Sequence, residues 1–443
     1  MARLFRKHPA RRARVAALAP VLLLAIALVL SPTGAQAADQ IHWTLLGQTS
    51  VAFSWRGTAG ENTIQFGTSP GSYTGSVTAH TPAPLPTSSA GPFWEVTLSG
   101  LQQNALYYYR IGANAEHTFR TPPARGSAGF WVGEMADIGS SLAYATVVPT
   151  ATMMAQDNPN IPGDDRPRFV LSPGDLTYGD DKGEAHCDQH FNDMMAWSQD
   201  AAYMVAWGNH EWDTSVGGDD LNNYEGRFVF PNTQTSPGAS SAIGDGPADD
   251  WYWFDYGNTR FIAYPEPYSG AWSDWRTKTD AIMAAAQTDA AITFIITYGH
   301  RPPWSSGADH GGDATLAGYM AALKVKYSKY VMNIAGHSHH YERTNPAQTD
   351  GLLHIIGPGG GSSLGGLSTQ PSWSVYRLDH LEHVRMHIQA NRIDGYVVCG
   401  PAGAGNGDTC TQGTIVDQWS IVAGAPVADT TAPAAIRDLN SGP

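Results

Sequence analysis

Five short strings occur in order along this chain: Asp137-Ile138-Gly139, Gly174-Asp175-Leu176-Thr177-Tyr178, Gly208-Asn209-His210-Glu211, Gly299-His300-Arg301-Pro302 and Gly336-His337-Ser338-His339. Between them they carry two aspartates, a tyrosine, an asparagine and three histidines besides His210, a full ligand set for two adjacent metal ions. A two-metal site sharing one bridging carboxylate can hold a phosphoryl group and supply the hydroxide that attacks it. Singly, strings such as Gly-Asp or Gly-Asn-His are ordinary turns. Five in order, each following an apolar run, argue against that bland reading.

The donor types sort by hardness. Asp175 and Tyr178 stand three residues apart, so a strand-end carboxylate and a residue on the following turn can converge on one ion. His337 and His339 stand two apart on a loop, where each can face a different ion. Carboxylate and phenolate suit a trivalent ion, whose charge would deprotonate a tyrosine with an ordinary pKa of about 10. Imidazole and a neutral amide suit a divalent one. Two carboxylates, a tyrosinate and a hydroxide leave a ferric–divalent pair with residual positive charge for phosphate, whereas two divalent ions would be neutralised. A ferric ion also acidifies bound water more strongly, so an acidic working range is expected.

The elements that must position these donors are legible as apolar runs. Residues 129–132, 168–171, 202–207, 292–298, 330–335 and 352–356 are short, apolar and bounded by glycine or turn residues, the pattern of buried strands. Helices are expected between them, as over 277–288 and 314–327. Alternating strands and helices predict an α/β layered core whose ligands gather beyond the carboxyl ends of the strands. Every candidate ligand sits at such an end.

These residues resemble the purple acid phosphatases within the calcineurin-like metallophosphoesterase superfamily. The tyrosine of Gly-Asp-Leu-Thr-Tyr, the string Gly299-His300-Arg301-Pro302-Pro303-Trp304 and the string from Gly336 to Arg343 carry the likeness. The resemblance implies a four-layer α-β-β-α sandwich, preceded by a small all-β fibronectin-III-like domain. It implies a ferric ion on Asp137, Asp175, Tyr178 and His339, with Asp175 bridging to zinc, ferrous iron or manganese held by Asn209, His300 and His337. His210 would bond the bound phosphate. Plant-type members carry two adjacent histidines where this chain has Asp309-His310, so His310 is the candidate acid for the leaving alkoxide. Asp309 could hold His310 charged or could itself repel phosphate. Glu211, Tyr341, Glu342 and Arg343 would orient the ligands from behind. Arg301 can equally be a structural ion pair, and His186 and His340 read as surface histidines.

Composition bounds the rest. A chain of 443 residues can bury two or three domains. Residues 1–37 read as a secretory signal, with six basic residues, an apolar stretch from Val15 to Leu30 and a final Ala35-Gln36-Ala37. This implies a secreted protein with no membrane anchor after cleavage. Losing those six charges takes the net charge from −14 to −20, which disfavours nucleic acid and anionic membranes as partners. Oligomeric state is not encoded legibly. Residues 39–122 show short strands between turns, a β-sandwich pattern. The catalytic domain is expected over 126–422, including strands within 383–388, 395–398 and 414–421, with a flexible tail over 424–443. In an exported chain Cys399 and Cys410 could pair, leaving Cys187 odd and inert.

Three function classes are compatible. The first is hydrolysis of small phosphate monoesters. The second is a phosphodiesterase or nucleotide pyrophosphatase on the same centre, since the ligands fix the chemistry at phosphorus and not the substituents. The loop over residues 214–250 is expected to decide between them. The third is a non-enzymatic surface or carbohydrate binder, suggested by the sandwich and by Trp251 and Trp253 read as exposed aromatics. The intact ligand set argues against it.

Overall fold

The computed structural model describes residues 37–212, 221–237, 249–267, 270–403 and 407–425. The leader, residues 214–220 and 238–248 of the 214–250 loop, and the tail beyond residue 425 lie outside them.

Seven strands between residues 39 and 120 form two facing sheets. One orders Asp39–Gly47, Ser50–Arg56 and Phe93–Leu98; the other orders Gly75–Thr78, Thr63–Gly67, Leu106–Ile111 and His117–Arg120. Aromatic side chains fill the space between them. Phe53 meets Tyr109 at 4.7 Å and Phe119 at 5.3 Å between ring centroids. The Tyr107 hydroxyl accepts the Gln102 amide at 2.9 Å, the corner that marks immunoglobulin-like and fibronectin-III-like sandwiches. Strand Asp39–Gly47 also packs against helix Ala185–Ser198, where Ser198 Oγ donates to the Ile41 carbonyl at 2.8 Å.

Two larger sheets follow. The six-stranded sheet orders Ala202–Ala206, Phe169–Pro173, Phe130–Glu134, Glu382–Ile388, Arg392–Cys399 and Ile415–Val422. Its first three strands are parallel and its last three pair antiparallel. The seven-stranded sheet is parallel through Thr259–Ala263, Phe294–Gly299, Tyr330–Ala335 and Leu353–Ile356, with antiparallel strands at its margins. The parallel strands that lead into the ligand strings are buried along their whole length, which is why they read as largely apolar runs. The sheets meet face to face through Phe169, whose ring lies 5.2 Å from Phe261 and 5.5 Å from Phe254.

Helices cover both outer faces. On the six-stranded sheet, Met154 of helix Val147–Ala155 lies so close to Gly133 that a Cβ there would sit 2.6 Å from its sulfur. On the other sheet, Trp275 of helix Ala271–Thr288 donates to the Ala263 carbonyl at 2.9 Å, and Lys324 of helix Ala314–Lys326 donates to the Tyr330 carbonyl at 2.7 Å. The result is the expected α-β-β-α layering behind an all-β domain. Helix Ala271–Thr288 begins six residues before the expected 277. Cys399 and Cys410 form a disulfide, and Cys187 is buried and unbridged. Trp251 is not a surface aromatic: it is 1 % exposed in the core, and Trp253 lies under the Arg260 guanidinium.

Candidate metal centre

The five strings converge where strands of both sheets end. The backbone there is strained. Asp137, Asp175, Tyr178 and His337 adopt left-handed φ values of 51°, 49°, 56° and 69°. Side chains held in this region need a surrounding structure that over-determines them, and such residues cluster at functional sites. The glycines that precede the ligands supply that structure through close approach. A Cβ on Gly208 would lie 2.1 Å from Asp175 Oδ1, and one on Gly336 would lie 2.3 Å from Asp137 Oδ2. One on Gly174 would lie 2.7 Å from the Gly208 nitrogen. Only glycine lets the ligand loops nest this tightly.

Two groups of donor atoms result. In the first, the Tyr178 hydroxyl lies 3.3 Å from Asp137 Oδ1 and 3.1 Å from His339 Nε2. His339 Nε2 lies 3.2 Å from Asp137 Oδ1. In the second, His300 Nε2 lies 3.1 Å from Asp175 Oδ2, 3.1 Å from Asn209 Oδ1 and 3.0 Å from His337 Nδ1. Donors bonded at about 2.1 Å to one ion stand roughly 3 Å apart along the edge of a coordination polyhedron. These spacings therefore fit shared ions.

The imidazoles are oriented for it. His300 donates Nδ1–H to the Pro173 carbonyl (3.0 Å) and His339 donates Nδ1–H to the Ser363 carbonyl (2.6 Å), turning each Nε2 lone pair inward. His337 instead presents Nδ1, with Arg301 at 3.0 Å from its Nε2. Such outer contacts fix the tautomers of metal-ligating histidines.

The electrostatics ask for a cation. Burial alone would lower His300, yet the Asp175 carboxylate carries it up to about 10. Against the same burial, Asp137 carries His339 up to about 9. Protons thus gather where the donor set would otherwise hold metal ions. Burial, then Asp137 and Asp175, push the Tyr178 phenol well above its ordinary range, so a phenolate there needs a metal to form.

The other expected site residues fall at different distances from this centre. Glu211 is fully buried and accepts the amides of Asp175 (2.8 Å), Leu176 (2.7 Å) and Gly208 (2.8 Å), tying two ligand loops together. The His210 amide donates to Asp175 Oδ1 at 3.0 Å, and its ring lies 4.4 Å from that of Tyr178. The His310 ring stacks on His337 at 4.0 Å. Asp309 does not reach for that ring: its oxygens accept the backbone amides of His310 (2.7 Å) and His339 (2.9 Å).

Glu342 holds the base of the His310 loop through Ser306, at 2.8 Å from its amide and 2.6 Å from its hydroxyl. Tyr341 and Arg343 reach Asp417 on the other sheet, at 3.0 and 2.7 Å. Arg301 is ion-paired with Glu266 at 2.8 Å. His340 is a correction: it is fully buried, 3.1 Å from Glu342, because the carboxylate gives its ring a partner inside the protein. His186 is half-buried and bonds Ser140 at 2.9 Å.

One residue escaped the sequence reading. Asp180 accepts from His210 Nδ1 at 2.8 and 2.9 Å. Although burial opposes it, Asp180 helps raise His210 to about 9. Its signal was present as an acid two residues beyond Tyr178, on the same turn.

Known proteins match this chain in parts and over most of its length. Residues 38–122 match the family model of the purple acid phosphatase N-terminal domain, and residues 144–341 match that of the calcineurin-like phosphoesterases. Purple acid phosphatase 22 of Arabidopsis thaliana is 25 % identical over 370 residues, covering 79 % of each chain. A nucleotide pyrophosphatase/phosphodiesterase of Hordeum vulgare is 27 % identical over 304 residues, covering 60 % of this chain and 77 % of its own. The solved purple acid phosphatase of yellow lupin seeds superposes with a TM-score of 0.68 at 19 % identity, over 87 % of this chain and 74 % of that one, a likeness of fold.

Proposed function

Because the chain belongs to the purple acid phosphatases of the calcineurin-like phosphoesterase superfamily, we propose that it hydrolyses small phosphate monoesters as an exported acid phosphatase. The observation that carries this reading is the convergence of Asp137, Asp175, Tyr178, Asn209, His300, His337 and His339 with donor spacings of 3.0 to 3.3 Å. Asp137, Asp175, Tyr178 and His339 suit a ferric ion; Asn209, His300 and His337, with Asp175 shared, suit zinc, ferrous iron or manganese. Such a pair supplies positive charge for the phosphoryl oxygens and an acidified water as nucleophile.

The chain's own groups do the rest. His210, braced by Asp180 and raised to about 9, stands protonated beside Asp175 and can donate from Nε2 to a phosphoryl oxygen. His310, stacked on His337, can pass a ring proton to the departing alkoxide. Burial lowers His310 below the ordinary histidine value, Asp309 notwithstanding, so its ring gives up a proton more readily than a free imidazole does. Export rests on residues 1–37, and the Cys399–Cys410 disulfide suits an oxidising compartment.

A second reading has its own support. The barley relative is named a nucleotide pyrophosphatase/phosphodiesterase, and a diester or pyrophosphate would meet the same donors. Kinetics on a panel of aryl and alkyl monoesters, diesters and nucleoside pyrophosphates, with metal analysis, test both. Monoesters should give the highest kcat/KM, with the optimum below neutrality. A preference for diesters or pyrophosphates would install the second reading, and absence of turnover with both metals bound would sink both.

A further inference from the structure

The segment over residues 221–230 is gripped from the N-terminal sandwich. The Arg227 side chain is almost fully buried, donating from Nη1 to Gln40 Oε1 and from Nη2 to Ser88 Oγ, both at 2.5 Å. The Arg227 carbonyl accepts from His42 Nε2 at 2.7 Å. Asn223 Oδ1 accepts the amides of Thr87 and Ser88 at 3.0 and 3.2 Å. Between them, Gly226 passes so near the Pro84 carbonyl that a Cβ would sit 2.3 Å from its oxygen. These five hydrogen bonds fix one short stretch of the catalytic domain to the other domain.

That stretch carries Tyr224, fully buried, whose hydroxyl lies 2.6 Å from Thr177 Oγ1. Thr177 stands between Asp175 and Tyr178, both in the left-handed region, and its Oγ1 also accepts the Gly179 amide at 3.1 Å. A turn with two strained ligands keeps its shape only if its remaining atoms are held. Glu211 holds the amides at its start; Thr177 is the hold at its end.

We propose that Tyr224 is a positioning residue of the metal centre and that the N-terminal sandwich is the clamp that keeps it in place. The line runs from Gln40, His42 and Ser88 through Arg227 and Asn223 to Tyr224, and from its hydroxyl to Thr177 and the turn bearing Asp175 and Tyr178. The sandwich is then part of the catalytic architecture and not an appended binding module. This inference rests on the reading that Asp175 and Tyr178 hold metal.

The test uses the full, metal-loaded chain and measures metal release to excess EDTA alongside kcat and KM for p-nitrophenyl phosphate. Tyr224→Phe removes one hydroxyl and no volume of consequence. It should release metal about 10-fold faster and lower kcat with KM little changed. Thr177→Val removes that bond and the one from the Gly179 amide, so it should release metal at least as fast, and the double variant should be no worse than Thr177→Val alone. Thr177→Ser, which keeps the hydroxyl, should hold metal as wild type does. Asn223→Ala, which loosens the clamp without touching Thr177, should shift metal release in the same direction by a smaller factor. Metal retention in Tyr224→Phe equal to wild type overturns the inference alone. A wild-type chain that holds no metal overturns the functional reading and this inference together.

Discussion

His210 Nδ1 and the Asp180 carboxylate lie 2.8 Å apart, and the Asp180 side chain is buried while His210 is partly open to solvent. Burial disfavours the imidazolium, but Asp180 and Asp175 outweigh it and set the ring at about 9. The histidine is therefore a fixed positive donor through the acid and neutral range, and it loses its charge only as pH rises through about 9. Asp180→Asn keeps the shape and removes the charge. It should weaken inhibition by inorganic phosphate about 10-fold and move the alkaline limb of kcat/KM to lower pH. An unchanged limb would mean that Asp180 only fills space.

Tyr178 offers a spectroscopic test. Its hydroxyl lies 3.3 Å from Asp137 and 3.1 Å from His339, inside the group assigned to the trivalent ion. A phenolate bound to ferric iron transfers charge to the metal, so the pure protein should absorb in the visible. Tyr178→Phe should abolish that band and leave residual hydrolysis, since Asp137, Asp175 and His339 remain. Asp175→Asn, by contrast, removes the ligand shared by both ions and should lower turnover by about 10³-fold or more, with loss of metal. An iron-loaded, oxidised yet colourless wild type would exclude the tyrosinate.

The sequence displayed the site better than the scaffold that braces it. Strands such as Phe294–Gly299 and Tyr330–Ala335 are buried on both faces, so they are largely apolar, and the glycine before Asp175, Asn209, His300 and His337 marks where loops nest. Strand Asp39–Gly47 lacks that signature because His42 and Gln40 are buried against polar partners in the catalytic domain. Helix Ala185–Ser198 is equally hard to see. Its inward face carries His190 and Asp193, which bond the Gly139 carbonyl and Ser141, so its polarity does not alternate with its burial. His340 and Trp251 do not read as buried either: the ring of His340 is partnered inside the protein by Glu342, two residues on, and Trp251 lies in the core.

His310 should separate substrates by leaving group. Its ring stacks on His337 at 4.0 Å, while its neighbour Asp309 anchors backbone instead of the ring. His310→Ala should cost alkyl phosphates about 10²-fold in kcat and activated aryl phosphates far less, because only the former need a proton on departure. Equal losses on both would assign His310 to binding.

A last prediction concerns stability and two buried acids behind the centre. Glu134 and Glu382 are fully buried; Glu382 accepts the Gly359 amide at 2.9 Å, and neither Glu134 oxygen has a hydrogen-bond partner among the described residues. Burial pushes Glu382 up from 4.5 to about 8, with Asp137 adding to it. Burial, then Glu382 and Asp137, push Glu134 well above its ordinary range. The folded chain therefore keeps protons that the unfolded chain releases above about 4.5. Fewer protons bound in the unfolded state means that stability falls as pH rises, by up to about 1.4 kcal/mol per pH unit for each such group, and levels off for Glu382 near 8. Glu382→Gln stays neutral at every pH, keeps an acceptor for Gly359 and so should flatten the slope. Denaturant titrations of metal-free protein at about pH 5 and pH 7.5 decide it, and equal slopes in wild type and variant would show that Glu382 ionises normally in the fold.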